Sequence, residues 1–312
     1  MPYTRQGAGM RIAAMVLGLW TGIGLCAAAS ASPQRAVLVT GASSGIGHAI
    51  ALRLAADGYF VYAGVRKDAD IKAMSGIPNL EPVKLDVTDA GQIAAAVETV
   101  RHAGRGLYGL VNNAGIGSFA PVIGPHKDEF EQMMAVNAVG PYRMVQAFGP
   151  LVLEQKGRIV TIGSIGGFVA LGGSAAYSMS KFAVEALTDS LAAELAPQGV
   201  GVSIVEPGTY RSNISKNAVA RGQGSDNIDP AQSGDPDQVA KVVEHALADA
   251  SPKRRYLTVP ARWQAEWGLR AAMDRVVQLN EGQPYTYSRA EMKRVLDDSL
   301  AHKPAPPPPD QH

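Results

Sequence analysis

The sequence predicts an α/β fold in which a doubly wound parallel sheet lies between two layers of helices. Two observations carry that expectation. Short apolar runs suited to buried strands alternate along the chain with longer helical stretches, the pattern of successive βαβ units. The first of these runs ends in a glycine-rich turn that opens directly into a helical segment, as happens at the carboxyl edge of such sheets.

In chain order, strands are expected at 36–39, 60–65, 82–85, 107–111, 158–162, 200–205 and 256–259. The first, Ala36-Val37-Leu38-Val39, is apolar throughout, as a strand covered on both faces must be. Helices are expected at 46–56, 90–102, 127–155 with a kink near Pro141, and 177–196. Right-handed crossovers then give a seven-stranded sheet in three layers.

Composition narrows the function. The 312 residues allow one large domain or two small ones. Hydrophobic residues make up 46% and charged residues 18%, so there is ample material for a core. The net charge of +1 comes with no basic stripe, which excludes ordinary nucleic-acid binding. His48, His102, His126, His245, His302 and His312 never take the spacing of a zinc helix, and Cys26 is the single cysteine. No metal and no internal disulfide are expected.

The two ends read differently from the middle. Arg5 and Arg11 precede an uncharged stretch at 12–31 that closes on the small residues Ala27, Ala28, Ala29, Ser30 and Ala31. Residues 1–31 are therefore read as a signal-like or membrane-anchor segment. An upstream start-codon error is the alternative. A single catalytic domain is expected at 35–301, with a variable substrate region at about 209–301. Residues 302–312 form a proline-rich tail, expected to be disordered.

Candidate site residues collect where the strands end. Thr40, Gly41, Ser43, Ser44, Gly45, Ile46 and Gly47 follow the first strand; glycines there let the backbone approach a pyrophosphate at a helix N-terminus. Tyr177 and Lys181 are four residues apart on an expected helix and so share one face. A phenol ionises at about 10, and a nearby ammonium would lower that value. Ser164 ends the fifth strand, Asp86 the third, and Asn112-Asn113-Ala114-Gly115 the fourth. Asn137 falls mid-helix, where asparagine is unfavourable.

Together these motifs resemble the short-chain dehydrogenase/reductase family, over about 35–259. The spacing of the glycines is similar to that of its single-domain oxidoreductase branch. The resemblance implies a Rossmann-type fold and a catalytic set of Asn137, Ser164, Tyr177 and Lys181. It also implies cofactor contacts from Thr40–Gly47, Arg66, Asp86, Val87, Asn113, Ala114, Gly115, Tyr177, Lys181, Pro207, Gly208 and Ser212. Tyr177 would exchange a proton with an alcohol or carbonyl oxygen held by Ser164, and Lys181 would bind the nicotinamide ribose. Asn137 would anchor a water that passes protons to Lys181. A homo-oligomer is also implied. Residues 177–208 look most like the retinol and 17β-hydroxysteroid dehydrogenases. With Tyr210, Ile214, Trp263, Trp267 and Met273 following, an apolar alcohol or ketone is expected. A non-catalytic dinucleotide sensor and an epimerase or dehydratase are the rival readings.

NADP is the expected cofactor, with NAD as the alternative. The run Phe60–Lys67 carries no acid; by the family resemblance, Val65 fills the position where NAD users place one. Arg66 comes next, able to hold a 2′-phosphate. For location the terminus points to export or membrane association. A cofactor regenerated in the cytoplasm points to a catalytic domain working there, and that is the expectation taken.

Overall fold

The computed structural model describes residues 34–301 apart from 119, 124–126, 171 and 221–232. The expected segment at 1–31 and the tail at 302–312 lie outside the described residues. The strands are β1 (Ala36–Thr40), β2 (Phe60–Val65), β3 (Leu80–Lys84), β4 (Gly109–Asn112), β5 (Arg158–Ile162), β6 (Gly201–Pro207) and β7 (Arg255–Thr258). The helices are α1 (Gly45–Ala56), α2 (Asp68–Met74), α3 (Ala90–His102), α4 (Lys127–Met134) and α5 (Gly140–Glu154). They continue with α6 (Ala175–Leu195), α7 (Ile214–Ala220), α8 (Pro236–Ala248), α9 (Arg262–Asn280) and α10 (Arg289–Ala301).

All seven strands are parallel, in the order β3-β2-β1-β4-β5-β6-β7. The chain builds outward from β1 to β3, then returns to lay β4 on the other side of β1. This reversal opens a crevice beyond the carboxyl ends of β1 and β4. Alternate side chains of each strand face opposite layers. Val37 and Val39 pack with Ile50 and Leu54 of α1 and Val243 and Leu247 of α8. Leu38 and Leu110 pack with Val100 of α3 and Met144 and Phe148 of α5.

The structure differs locally from the sequence reading at four places. β3 starts at Leu80 and carries Pro82 opposite Ala63; it is the edge strand, where a missing N–H is tolerated. The expected kinked helix is three pieces, α4, a π-type turn at Ala135–Val139, and α5. Pro141 has no N–H to offer the Asn137 carbonyl four residues earlier, so the irregularity falls before the proline rather than at it. α6 begins at Ala175, which places Tyr177 inside its first turn. Helix α8, not expected from periodicity, is started by Pro236 and by Asp235, whose carboxylate accepts from the Asp237 N–H. Among the described residues no helix is long and apolar enough to cross a membrane.

Candidate active site

The glycine loop is shaped by backbone that side chains disfavour. Gly41 and Gly45 hold φ values of +68° and +57°, a region natural to glycine. A Cβ on Gly47 would lie 2.2 Å from Asn113 Nδ2 and 2.4 Å from the Gly41 carbonyl oxygen. Ser44 precedes α1 without a side-chain capping bond. The first-turn amides therefore lack a side-chain acceptor and suit an anion. A dinucleotide pyrophosphate fits this cradle, which any larger residue would fill.

Thr40 and Asn113 fix the cradle from beneath. The Thr40 hydroxyl accepts from the Asn113 and Ala114 N–H groups at 2.9 and 3.0 Å. Asn113 Nδ2 donates to the Thr40 and Gly41 carbonyl oxygens at 2.9 and 3.2 Å. These side chains clamp the end of β1 to the end of β4.

At the other end of the crevice, Ser164 and Tyr177 meet. Ser164 Oγ accepts from the Gly166 N–H at 3.0 Å, and the Ser164 hydroxyl is hydrogen-bonded to the Tyr177 phenol. Gly166 permits this approach, since a Cβ there would stand 3.1 Å from Tyr177 Cε1. Lys181 is buried, donates to the Ile162 carbonyl oxygen at 2.9 Å, and has its ammonium 5.8 Å from the Tyr177 ring centre.

Electrostatics here corrects one expectation. Burial raises the Tyr177 phenol above its ordinary value, with the Ser164 bond opposing. The expected lowering by Lys181 does not prevail, because removing a phenolate from water costs more. Lys181 itself is lowered to about 8 by burial, with the Glu185 charge opposing.

Asn137 is held by its side chain. Its Oδ1 accepts from the Ile116 N–H at 2.8 Å, and its Nδ2 donates to the Ile116 carbonyl oxygen at 2.9 Å. A further contact from Nδ2 reaches Ser180 Oγ at 3.1 Å. The side-chain amide is thus committed to protein. Pro141, four residues on, has no N–H to give the Asn137 main-chain carbonyl.

A single cleft of about 1110 Å³ joins both ends. Of the residues expected in the site, Gly41, Ser43, Ser44, Gly45, Ile46, Gly47, Arg66, Asp86, Val87, Asn113, Ala114 and Gly115 line it. So do Ser164, Tyr177, Lys181, Pro207, Gly208 and Ser212, whereas Thr40 and Asn137 stand behind the wall. Arg66 is largely exposed at the end of β2, its Nη1 3.9 Å from Asp86 Oδ2. Ser212 closes over the glycine loop, its Cβ 3.1 Å from where a Gly45 Cβ would be. Tyr210, Ile214, Trp263 and Trp267 line the cleft as well, but Met273, further along α9, does not.

One group escaped sequence reading. Beneath Ser164's loop, Arg255 Nε lies 3.1 Å from Glu185 Oε2 and 3.5 Å from Glu206 Oε1, and its Nη2 lies 2.8 Å from Asp189. Burial raises both glutamates above their ordinary value; the Glu185 charge adds to this at Glu206, while Arg255 opposes it at both. An acid in the apolar run before Pro207, and another one turn past Lys181, were the available signals.

Residues 35–222 match the family model of the short chain dehydrogenases. The chain belongs to the short-chain dehydrogenase family. It is similar to rat mitochondrial D-beta-hydroxybutyrate dehydrogenase, 32% identical over 273 residues, covering 75% of this chain and 80% of that one. Mouse retinol dehydrogenase 5 is 40% identical over 189 residues, 57% of this chain and 58% of that protein. A solved short chain dehydrogenase from Burkholderia cenocepacia, in complex with NADP, has a TM-score of 0.66 at 28% identity, covering 80% of this chain and 98% of that one. As a short-chain dehydrogenase, this protein is an oxidoreductase.

Proposed function

We propose that this short-chain dehydrogenase interconverts an uncharged apolar secondary alcohol and its ketone, with NADP as cofactor. The observation that carries the reading is the Ser164–Tyr177 hydrogen bond, in the cleft that also holds the glycine cradle. When bound, the dinucleotide supplies the hydride chemistry. Tyr177 Oη gives its proton to the carbonyl oxygen in reduction and takes it back in oxidation. Ser164 Oγ, oriented by the Gly166 N–H, holds that oxygen. Lys181, tethered by Ile162, directs its remaining N–H groups to the nicotinamide ribose and passes protons on. With its amide committed to Ile116, Asn137 would anchor the relay water through its main-chain carbonyl. Arg66 would meet the 2′-phosphate, Asp86 and Val87 would border the adenine, and Pro207, Gly208 and Ser212 would flank the nicotinamide. The solved relative bound to NADP supports the choice of cofactor.

Two features favour an uncharged apolar substrate. Trp263, Trp267, Tyr210 and Ile214 form the wall beyond Tyr177. Among the described cleft-lining residues the cations are Arg66, Lys67 and Lys181; the first two stand at the end of β2, and the third is the tethered ammonium. Among these described residues no cation stands beside the tryptophans to hold a substrate carboxylate, which favours an uncharged substrate over a hydroxy acid. The retinol dehydrogenase likeness agrees with this reading.

On this reading 35–301 is one catalytic domain, its substrate region about 209–301, working in the cytoplasm as a homo-oligomer, with membrane association through the N-terminus. Fractionation with a C-terminal tag tests the location; a soluble exported product starting near Ser32 would refute it. The function is tested by absorbance at the reduced-nicotinamide band with a panel of carbonyls and alcohols. Bulky apolar ketones should be turned over fastest. A polyol or hydroxy acid outrunning every steroid, retinoid and aryl ketone would sink the proposal.

A further inference from the structure

Helix α9 packs through one row of residues on the Pro207–Thr209 turn and on Phe168, which follows the cleft-lining Ile165–Gly166 segment. Gln264 is 1% exposed, and its Oε1 accepts from the Thr209 N–H at 3.0 Å. It presses so closely on the Pro207–Thr209 turn that a Cβ on Gly208 would lie 2.0 Å from that oxygen. One turn on, Gly268 is buried, and a Cβ there would stand 2.7 Å from Phe168 Cε2. Phe168 directly follows the short helical turn Ile165–Gly167 that Ser164 caps. Positions four apart share a helix face, so Gln264 and Gly268 form the docking row. The adjacent row, Trp263 and Trp267, lines the cleft.

Packing alone does not call for an amide at this place. Gln264 Nε2 is buried and has no hydrogen-bond partner among the described residues. A methionine would fill the same space, but it would exchange the unpaired Nε2 for an unpaired Thr209 N–H. Residues that break such a rule tend to serve a site rather than stability.

We propose that Gln264 is a positioning residue that sets the tryptophan wall of the substrate site against the Pro207–Thr209 wall of the cofactor site. The bond to Thr209 fixes the register of α9 over the turn, and with it the depth of the pocket beyond Tyr177. Gln264 thereby determines how well a large substrate is held, without touching the reacting atoms. This inference rests on the oxidoreductase reading above.

The test compares Gln264→Met, which keeps length and volume but cannot accept, with Gln264→Glu, which keeps the acceptor. Gln264→Met should melt within a few degrees of the parent, since one unpaired donor replaces another. Its KM for a bulky aryl ketone should rise about tenfold, the scale of one lost hydrogen bond. The KM for a short aliphatic ketone should change less than about twofold and kcat less than about threefold, while Gln264→Glu returns the bulky-ketone KM toward the parent value. A second readout needs no turnover. In a Trp20→Phe background, which leaves Trp263 and Trp267 as the tryptophans, energy transfer to bound NADPH should fall in Gln264→Met. Equal KM shifts for both ketones, or unchanged transfer, would overturn the role of Gln264. A parent that neither binds NADPH nor turns over a carbonyl would overturn the underlying oxidoreductase reading, and this one with it.

Discussion

Lys181 Nζ donates to the carbonyl oxygen of Ile162 at 2.9 Å, pinning the first half of α6 to the last residue of β5. Ser164 follows two residues later, so one hydrogen bond sets the lysine, the serine and, through α6, Tyr177 in a common frame. The tether also takes the ammonium out of water, and this has a pH consequence.

Burial lowers Lys181 to about 8, so its charge is present below that pH and lost above it. For the free enzyme, kcat/KM with NADPH should fall about tenfold per pH unit above that value. Tyr177 is raised, not lowered, and does not titrate in this window. Lys181→Arg, which stays charged, should remove the alkaline limb. A pH–rate profile flat between pH 7 and 10 would contradict the assignment.

Tyr177→Phe removes the transferable proton and little else. Turnover should drop by about 10²–10⁴-fold, while NADPH affinity, measured by fluorescence titration, stays within about twofold. Retention of more than a few per cent of parent activity would exclude the tyrosine as proton donor.

Arg66→Ala should abolish the preference for the phosphorylated cofactor. Charge-assisted bonds to a 2′-phosphate are worth roughly 1.5–3 kcal/mol, or about tenfold to a hundredfold in kcat/KM. The check is the ratio of efficiencies with NADPH and NADH in parent and variant. A parent favouring NADH would reverse the cofactor assignment.

Gly47→Ala places a methyl group 2.2 Å from Asn113 Nδ2 and 2.4 Å from the Gly41 carbonyl oxygen. The clamp between β1 and β4 would have to open. A loss of about 1–3 kcal/mol in stability is expected, as for overpacking, together with weakened NADPH binding by calorimetry. Wild-type affinity in this variant would show that the cradle is not the pyrophosphate site.

Glu206 carries a different pH signature. Burial beside Glu185 raises its carboxyl above the ordinary 4.5, so the folded chain retains a proton that the unfolded chain releases. Its contribution to stability is full below the unfolded value and is lost as pH rises through the raised one. The melting temperature should therefore decline from pH 5 to pH 9, and Glu206→Gln should decline less. Identical slopes would remove Glu206 as the source.

What the sequence by itself determined was local. The glycine loop was legible because its chemistry lies in consecutive residues, where a tight turn opens directly into a helix. Tyr177 and Lys181 were legible because four residues on a helix return to one face, and the strands because buried strands must be apolar. Tertiary structure decided what distant segments do to one another. The sheet order brings Thr209 to Gln264, 55 residues on, and Glu185 to Arg255, 70 residues on. The same packing gave the Asn137 amide to Ile116 and raised a phenol that its neighbouring lysine alone would have lowered. Burial and long-range hydrogen bonds are properties of the packed chain, and no spacing along the sequence encodes them.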